Sequence, residues 1–167
     1  KKLIQAKKKK MLPKAIIVVY IGGLPLDPIR LKKLSKKFKF KIIEDASHAI
    51  GSKYLGKKVG SCVWSDISIF SFHPVKIIAS GEGGIITTNN KDFYKKLISL
   101  RSHGMIRENK NFFNKDLKQS PFAYEIHDLG FNYRITDIQS ALAISQLDRI
   151  KKFIAKRRKI AKVYDKF

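Results

Sequence analysis

The chain predicts an α/β architecture, a mostly parallel sheet flanked by helices, and three stretches carry that prediction. Ala15-Ile16-Ile17-Val18-Val19-Tyr20 is a continuous apolar, β-branched run, the pattern of a strand buried on both faces of a parallel sheet. Asp27-Pro28 then supplies a helix N-cap and a first-turn proline. Phe40-Lys41-Ile42-Ile43-Glu44 is a second short strand. Strand, helix, strand is the unit from which parallel sheets are built.

The remaining elements follow in order. Residues 1–14 are polar and basic and read as the frayed end of a helix. Gly22-Gly23-Leu24-Pro25 breaks the first strand, and Ile29, Leu31, Leu34 and Phe38 give the following helix an imperfect apolar face that ends near Lys39. Gly51 to Gly60 is a turn-rich excursion with Gly56-Lys57 at a turn. Ile67 to Phe72 and Gly84 to Thr88 read as further strands. Asn89 or Asn90 caps a helix over 91–101, and 106–120 is a polar surface loop. Thr136-Asp137-Ile138-Gln139 is a capping box, opening a helix that carries Ile138, Leu142, Ile144 and Leu147. A last amphipathic helix covers 149–166. No repeat and no internal boundary is visible.

Composition narrows the class. The 167 residues are 44% hydrophobic and 29% charged, which predicts a folded domain with its own core rather than disorder. No apolar run approaches the roughly 18 residues of a spanning helix, so no membrane partner is expected. A single cysteine, Cys62, cannot build a disulfide framework and predicts a reducing, cytoplasmic setting. The net charge of +23 raises the question of nucleic acid. Of the 36 basic residues 29 are Lys, spread along helix-like segments such as 32–41 and 151–166 without an aromatic platform, so solvated helix faces explain them better. No metal-ligand spacing is present. The first residue is Lys1 rather than Met, and the expectation is a fragment of a longer protein.

Two short segments carry chemistry. Glu44-Asp45-Ala46-Ser47-His48 puts an acid at the end of a strand, and Ser71-Phe72-His73-Pro74-Val75-Lys76 puts a lysine just after another, followed by Gly81-Glu82-Gly83-Gly84. A carboxylate, a lysine, and hydroxyl and backbone donors are what a protein needs to hold and use pyridoxal phosphate (PLP). Taken singly, each residue has an ordinary reading. Lys76 is one lysine among 29, Asp45 suits a helix cap, His48 a structural histidine, and Asn132 loop polarity.

In order along the chain, E-D-A-S-H-A (44–49), S-F-H-P-V-K (71–76), G-E-G-G (81–84), R-S-H-G-M (101–105) and G-F-N-Y-R-I-T-D-I-Q-S-A-L (130–142) resemble the motifs of the DegT/DnrJ/EryC1/StrS sugar aminotransferases. The resemblance runs over 15–167. It implies the three-layer large domain of a fold type I PLP-dependent transferase, with 15–147 as part of that domain and 148–167 as a helix leading toward a small domain. It implies that Lys76 is the Schiff-base lysine, that Asp45 pairs with the pyridinium nitrogen, that His48 contacts the cofactor ring oxygen, and that Ser71 binds its phosphate. Asn132 is implied to reach the phosphate in a partner subunit of a homodimer with shared active sites, and Arg134 to position a substrate anion. Within the family, S-H-A-I-G-S-x-Y, F-S-F-H-x-x-K and R-S-H-G-M look most similar to the branch of pseudaminic acid synthesis. Its substrates are a UDP-linked 4-keto-6-deoxy amino sugar and glutamate. The sugar dehydratases of the family carry histidine in place of the lysine, so Lys76 favours transamination. Ile77-Ile78-Ala79-Ser80 departs from the family's Pro-[IL]-Thr-Thr and removes a rigid turn residue. Two alternatives stay open: a PLP-fold relic or regulatory homologue without activity, and a basic nucleic-acid-binding module.

Overall fold

The computed structural model describes residues 1–167, the side chains of residues 118 and 119 apart. The chain divides into two compact units, Lys1–Asn89 with Thr136–Phe167, and Asn90–Ile135.

The first unit opens with α1 (Lys2–Lys8), then β1 (Ala15–Val19) and α2 (Pro28–Phe38). Asp27 caps α2, its carboxylate accepting from the Arg30 N–H at 3.0 Å, and Lys39 ends the helix in the left-handed region at φ 59°. β2 (Lys41–Asp45) follows, then a two-stranded hairpin of β3 (Lys53–Tyr54) and β4 (Lys57–Lys58), and β5 (Ile67–Ser71) and β6 (Gly84–Thr87). The main sheet has the order β1-β2-β5-β6. β1 and β5 both run parallel to β2, while β6 is antiparallel to β5, so the sheet is mixed with a parallel core.

Burial of β1 differs from the sequence expectation. Register places Val18, Glu44 and Ser68 in one row across three strands, and that face is buried. The opposite face is open: Ile17 is 64% exposed. β1 is an edge strand and packs on one side, so the apolar run is buried on alternate residues only.

α4 (Asp137–Asp148) and α5 (Ile150–Tyr164) complete the first unit. The capping box is formed, with Thr136 Oγ1 accepting from the Gln139 N–H at 3.2 Å and the Gln139 side chain accepting from the Thr136 N–H at 3.2 Å. Ile138, Leu142, Ile144 and Leu147 are exposed, and Ala143 is the buried residue of α4.

In the second unit, α3 (Lys91–Leu100) is capped by Asn90, whose side-chain oxygen accepts from the Asp92 and Phe93 N–H groups. β7 (Met105–Ile106) pairs antiparallel with β8 (Glu125–Ile126), a pairing the sequence did not suggest. The intervening loop carries short 3-10 turns, and Glu125 holds it by accepting from the Phe113 and Asn114 N–H groups at 2.7 and 2.8 Å.

Candidate active site

Asp45 is the last residue of β2, so its carboxylate stands at the carboxyl end of a parallel strand. In open α/β sheets that end is where ligands bind. The Ser47 hydroxyl and the Ser47 N–H both donate to Asp45 Oδ1, at 2.6 and 3.1 Å. The Ser47 hydroxyl is the main reason that the Asp45 carboxyl is held below its ordinary range. Partial burial opposes it, and the Ser47 N–H and the positive charges of His48 and Lys76 add to it. Asp45 therefore stays ionised at neutral pH, with a lysine ammonium close enough to act on it.

Lys76 sits in the loop after β5. The Phe72 N–H donates to the Gly83 carbonyl at 2.8 Å and the Ser80 N–H donates to the Phe72 carbonyl at 3.0 Å, closing the neck of that loop. Inside it the Lys76 N–H donates to the His73 carbonyl at 2.9 Å. Where the family pattern has a proline turn, this chain anchors the loop through Ile78, which is 1% exposed, and through Ser80 Oγ donating to the Glu82 carbonyl at 3.1 Å. Ser71 Oγ accepts from the His73 N–H at 3.3 Å, leaving its own proton free to donate. Asp45 pairs in register with Ile69, two residues before Ser71, so Asp45 and Ser71 share the open face of the sheet.

Beyond the strand ends lies a cavity of about 510 Å³, within the range of about 300–1,000 Å³ usual for small-molecule sites. Ser47, His48, Ser52 and Lys76 line one side, and Ile154, Arg157, Arg158 and Ala161 of α5 line another. Gly51 permits this arrangement. Its φ is 84°, in the left-handed region that favours glycine, and a Cβ there would press on the tip of the Ile154 side chain, so glycine suits the close approach of α5 to the loop after β2. Ser52 Oγ ties the same loop to the end of β1 by donating to the Gly23 carbonyl at 2.7 Å.

Asn132 and Arg134 belong to the second unit and are both exposed. Two of the sequence motifs zip together there. Ser102 bridges to Asn132, the His103 N–H donates to the Phe131 carbonyl at 3.0 Å, and the Tyr133 N–H donates to the Arg101 carbonyl at 2.9 Å. The sequence-predicted residues thus fall into two groups: Asp45, His48, Ser71 and Lys76 at the strand ends of the first unit, of which His48 and Lys76 line the cavity and Asp45 and Ser71 do not, and Asn132 and Arg134 on a backbone-paired loop of the second. The sequence reading passed over Ser47, Ser52, Arg157 and Arg158. Ser47 was detectable as an Asp-x-Ser spacing that favours a local side-chain turn. Nothing local marks the other three.

Comparison with known proteins identifies the family and the fold. The model of the DegT/DnrJ/EryC1/StrS aminotransferase family matches residues 1–167. The chain is 43% identical over 152 residues to the UDP-4-amino-4,6-dideoxy-N-acetyl-beta-L-altrosamine transaminase of Campylobacter jejuni, covering 91% of this chain and 37% of that protein. It is 36% identical to the GDP-perosamine synthase of Escherichia coli, over 92% of this chain and 38% of that one. Among solved structures, Helicobacter pylori PseC, an aminotransferase of pseudaminic acid biosynthesis, superposes with a TM-score of 0.80 at 37% identity, covering 93% of this chain and 38% of PseC. A putative sugar aminotransferase from Streptococcus pneumoniae in its PLP form gives 0.74 at 29% identity, over 92% of this chain and 41% of that one. The fold is that of these PLP aminotransferases, and the chain spans well under half the length of the relatives it matches. With its whole length matched and its motifs standing in order at the strand ends, the chain belongs to the DegT/DnrJ/EryC1/StrS aminotransferase family.

Proposed function

We propose that this chain forms part of the large domain of a PLP-dependent sugar aminotransferase. Its substrates are a UDP-linked 4-keto-6-deoxy amino sugar and glutamate, and it works in the cytoplasm. The observation that carries this reading is the placement of two groups at the strand ends: Asp45, held by Ser47 at the end of β2, and Lys76 in the β5–β6 loop and the cavity wall. PLP is the cofactor of the family, and the donor set fits it. An ionised carboxylate suits a protonated ring nitrogen, an amine suits covalent attachment, and the Ser71 hydroxyl suits a phosphate oxygen.

When bound, PLP supplies an electron sink that stabilises negative charge at the amino carbon. Lys76 would supply the amine that holds the cofactor and a base to move a proton at the amino carbon. Asp45 would hold the ring nitrogen in its protonated form. His48, in the cavity wall, would orient the ring, and Ser71 would donate to the phosphate. Asn132 would serve the phosphate in the second subunit of a homodimer, and Arg134 would orient a substrate anion.

Trapping tests the reading. The intact protein is incubated with PLP, reduced with borohydride, digested and mapped by mass spectrometry. The cofactor mass is expected on Lys76 and absent from K76A. An intact protein that takes up no PLP sinks the enzyme reading and favours the inactive homologue. Amino transfer from glutamate to candidate keto-sugars then fixes the substrate.

A further inference from the structure

Arg157 and Arg158 are the cavity-lining groups to which the proposed reaction assigns no part. Ile154, Arg157, Arg158 and Ala161 follow i, i+3, i+4, i+7 spacing, so they form one face of α5, and all line the cavity beside His48 and Lys76. Arg157 and Arg158 are exposed to solvent, so two guanidinium groups stand at the open side of the cavity. Among the described residues neither makes a hydrogen bond or ion pair, and no acidic side chain lines the cavity. Asp45, beside Lys76, offsets one cation of the three that Lys76, Arg157 and Arg158 bring. The cavity wall is thus short of negative charge at a place reached from solvent.

We propose that Arg157 and Arg158 bind a doubly charged oxyanion of the substrate and so hold its reactive end toward Lys76. The proposal rests on the aminotransferase reading above. Guanidinium groups bind phosphate and carboxylate oxygens in bidentate fashion, and adjacent arginines match a ligand with two oxyanionic groups. Two sources share that chemistry: the diphosphate of a nucleotide-linked sugar and the paired carboxylates of the amino donor. Gly51 supports the site by letting α5 sit close enough to present both groups.

The test uses the intact protein and the double variant R157Q/R158Q, which removes charge while keeping long polar side chains. Uridine diphosphate and glutarate are titrated separately by calorimetry, with cofactor trapping at Lys76 and thermal unfolding measured in parallel. The expected result is a Kd raised at least about tenfold for one probe, with trapping and unfolding temperature unchanged. A loss confined to uridine diphosphate assigns the pair to the nucleotide diphosphate; a loss confined to glutarate assigns it to the donor. R157K/R158K, which retains charge but loses the bidentate fork, is expected to fall between wild type and the Gln variant and serves if the Gln variant fails to fold. Affinities for both probes within about twofold of wild type overturn the proposal, as does loss of cofactor trapping in the double variant. Wild-type protein that takes up no cofactor and binds neither probe overturns the aminotransferase reading and this proposal with it. Wild-type protein that takes up cofactor and binds a probe no better than the double variant overturns this proposal alone.

Discussion

The Tyr20 hydroxyl donates to the buried Glu44 carboxylate at 3.0 Å across 24 residues of sequence. Ser68 donates to the other oxygen of the same carboxylate, so one buried anion links the end of β1 to β2 and β5. Asp45 is the next residue, on the opposite face of β2. Burial, followed by the charge of Glu44 and the hydrogen bond to it, pushes the Tyr20 phenol far above its usual range. Tyr20→Phe keeps the ring volume and deletes the donor, leaving a buried carboxylate oxygen short of a partner. It is expected to destabilise by about 1–3 kcal/mol in urea unfolding at pH 7. The raised pKa also has a sign. In wild type the unfolded chain loses the phenolic proton first, so stability is complete below about pH 10 and falls as pH climbs above it. The Phe variant lacks this alkaline loss, so the gap between the two proteins narrows at high pH.

Ser47 holds Asp45 by two hydrogen bonds to one oxygen. Ser47→Ala removes the hydroxyl, the larger cause of the lowered Asp45 pKa, and is expected to cost about 1 kcal/mol at pH 7, since the pair is partly exposed. A depressed carboxyl pKa contributes stability above the unfolded value of about 3.9, and that contribution is lost as pH falls through the folded value. The difference between wild type and S47A should therefore be full at pH 6 and shrink below pH 4. A difference that stays constant down to pH 2 would mean that Ser47 acts by packing rather than through the charge.

Local chemistry explains which features could be read from the sequence. The caps at Asp27, Asn90 and Thr136 depend on residues within three or four positions, and each is formed. The strands of the main sheet were legible from their apolar runs, and the family motifs set the expectation that Asp45 and Lys76 serve one site. One-sided burial of β1 was not legible, because an apolar run says how much is buried and not which neighbours cover it. The β7–β8 pairing joins two short segments separated by a polar loop and carries no alternation long enough to read. Arg157 and Arg158 read as solvated charge on an amphipathic helix, and both are exposed. Their placement in a cavity wall comes from where α5 docks, which Gly51 and Ile154 decide at long range.

That docking can be tested directly. Gly51→Ala places a Cβ against Ile154 Cδ1 and forces an L side chain into a φ of 84°. Overpacking and backbone strain together are expected to cost about 2–4 kcal/mol, relieved if α5 lifts away. Hydrogen exchange separates the outcomes. Faster exchange confined to α5 amides, with the sheet protected as in wild type, shows local undocking. Restoring space with G51A/I154A should recover much of the protection, since the colliding group is then gone.

Gly130 makes the corresponding close approach in the second unit. A Cβ at Gly130 would collide with the Gly104 nitrogen and the Leu100 carbonyl oxygen, both backbone atoms that cannot rotate away. Segment 130–133 must therefore separate from 99–104 in Gly130→Ala, breaking the Phe131 N–H bond to the Leu100 carbonyl and the Ser102–Asn132 bridge. Asn132 would lose its fixed backbone position while keeping its side chain. If Asn132 serves the cofactor phosphate of a second subunit, G130A and N132A should weaken PLP retention to a similar degree, about tenfold for one charge-assisted hydrogen bond. The double variant should then be little worse than either single one, because both remove the same contact. Equilibrium dialysis of PLP against the intact protein measures this. Additive losses would show that Gly130 acts on the cofactor site by a route other than Asn132.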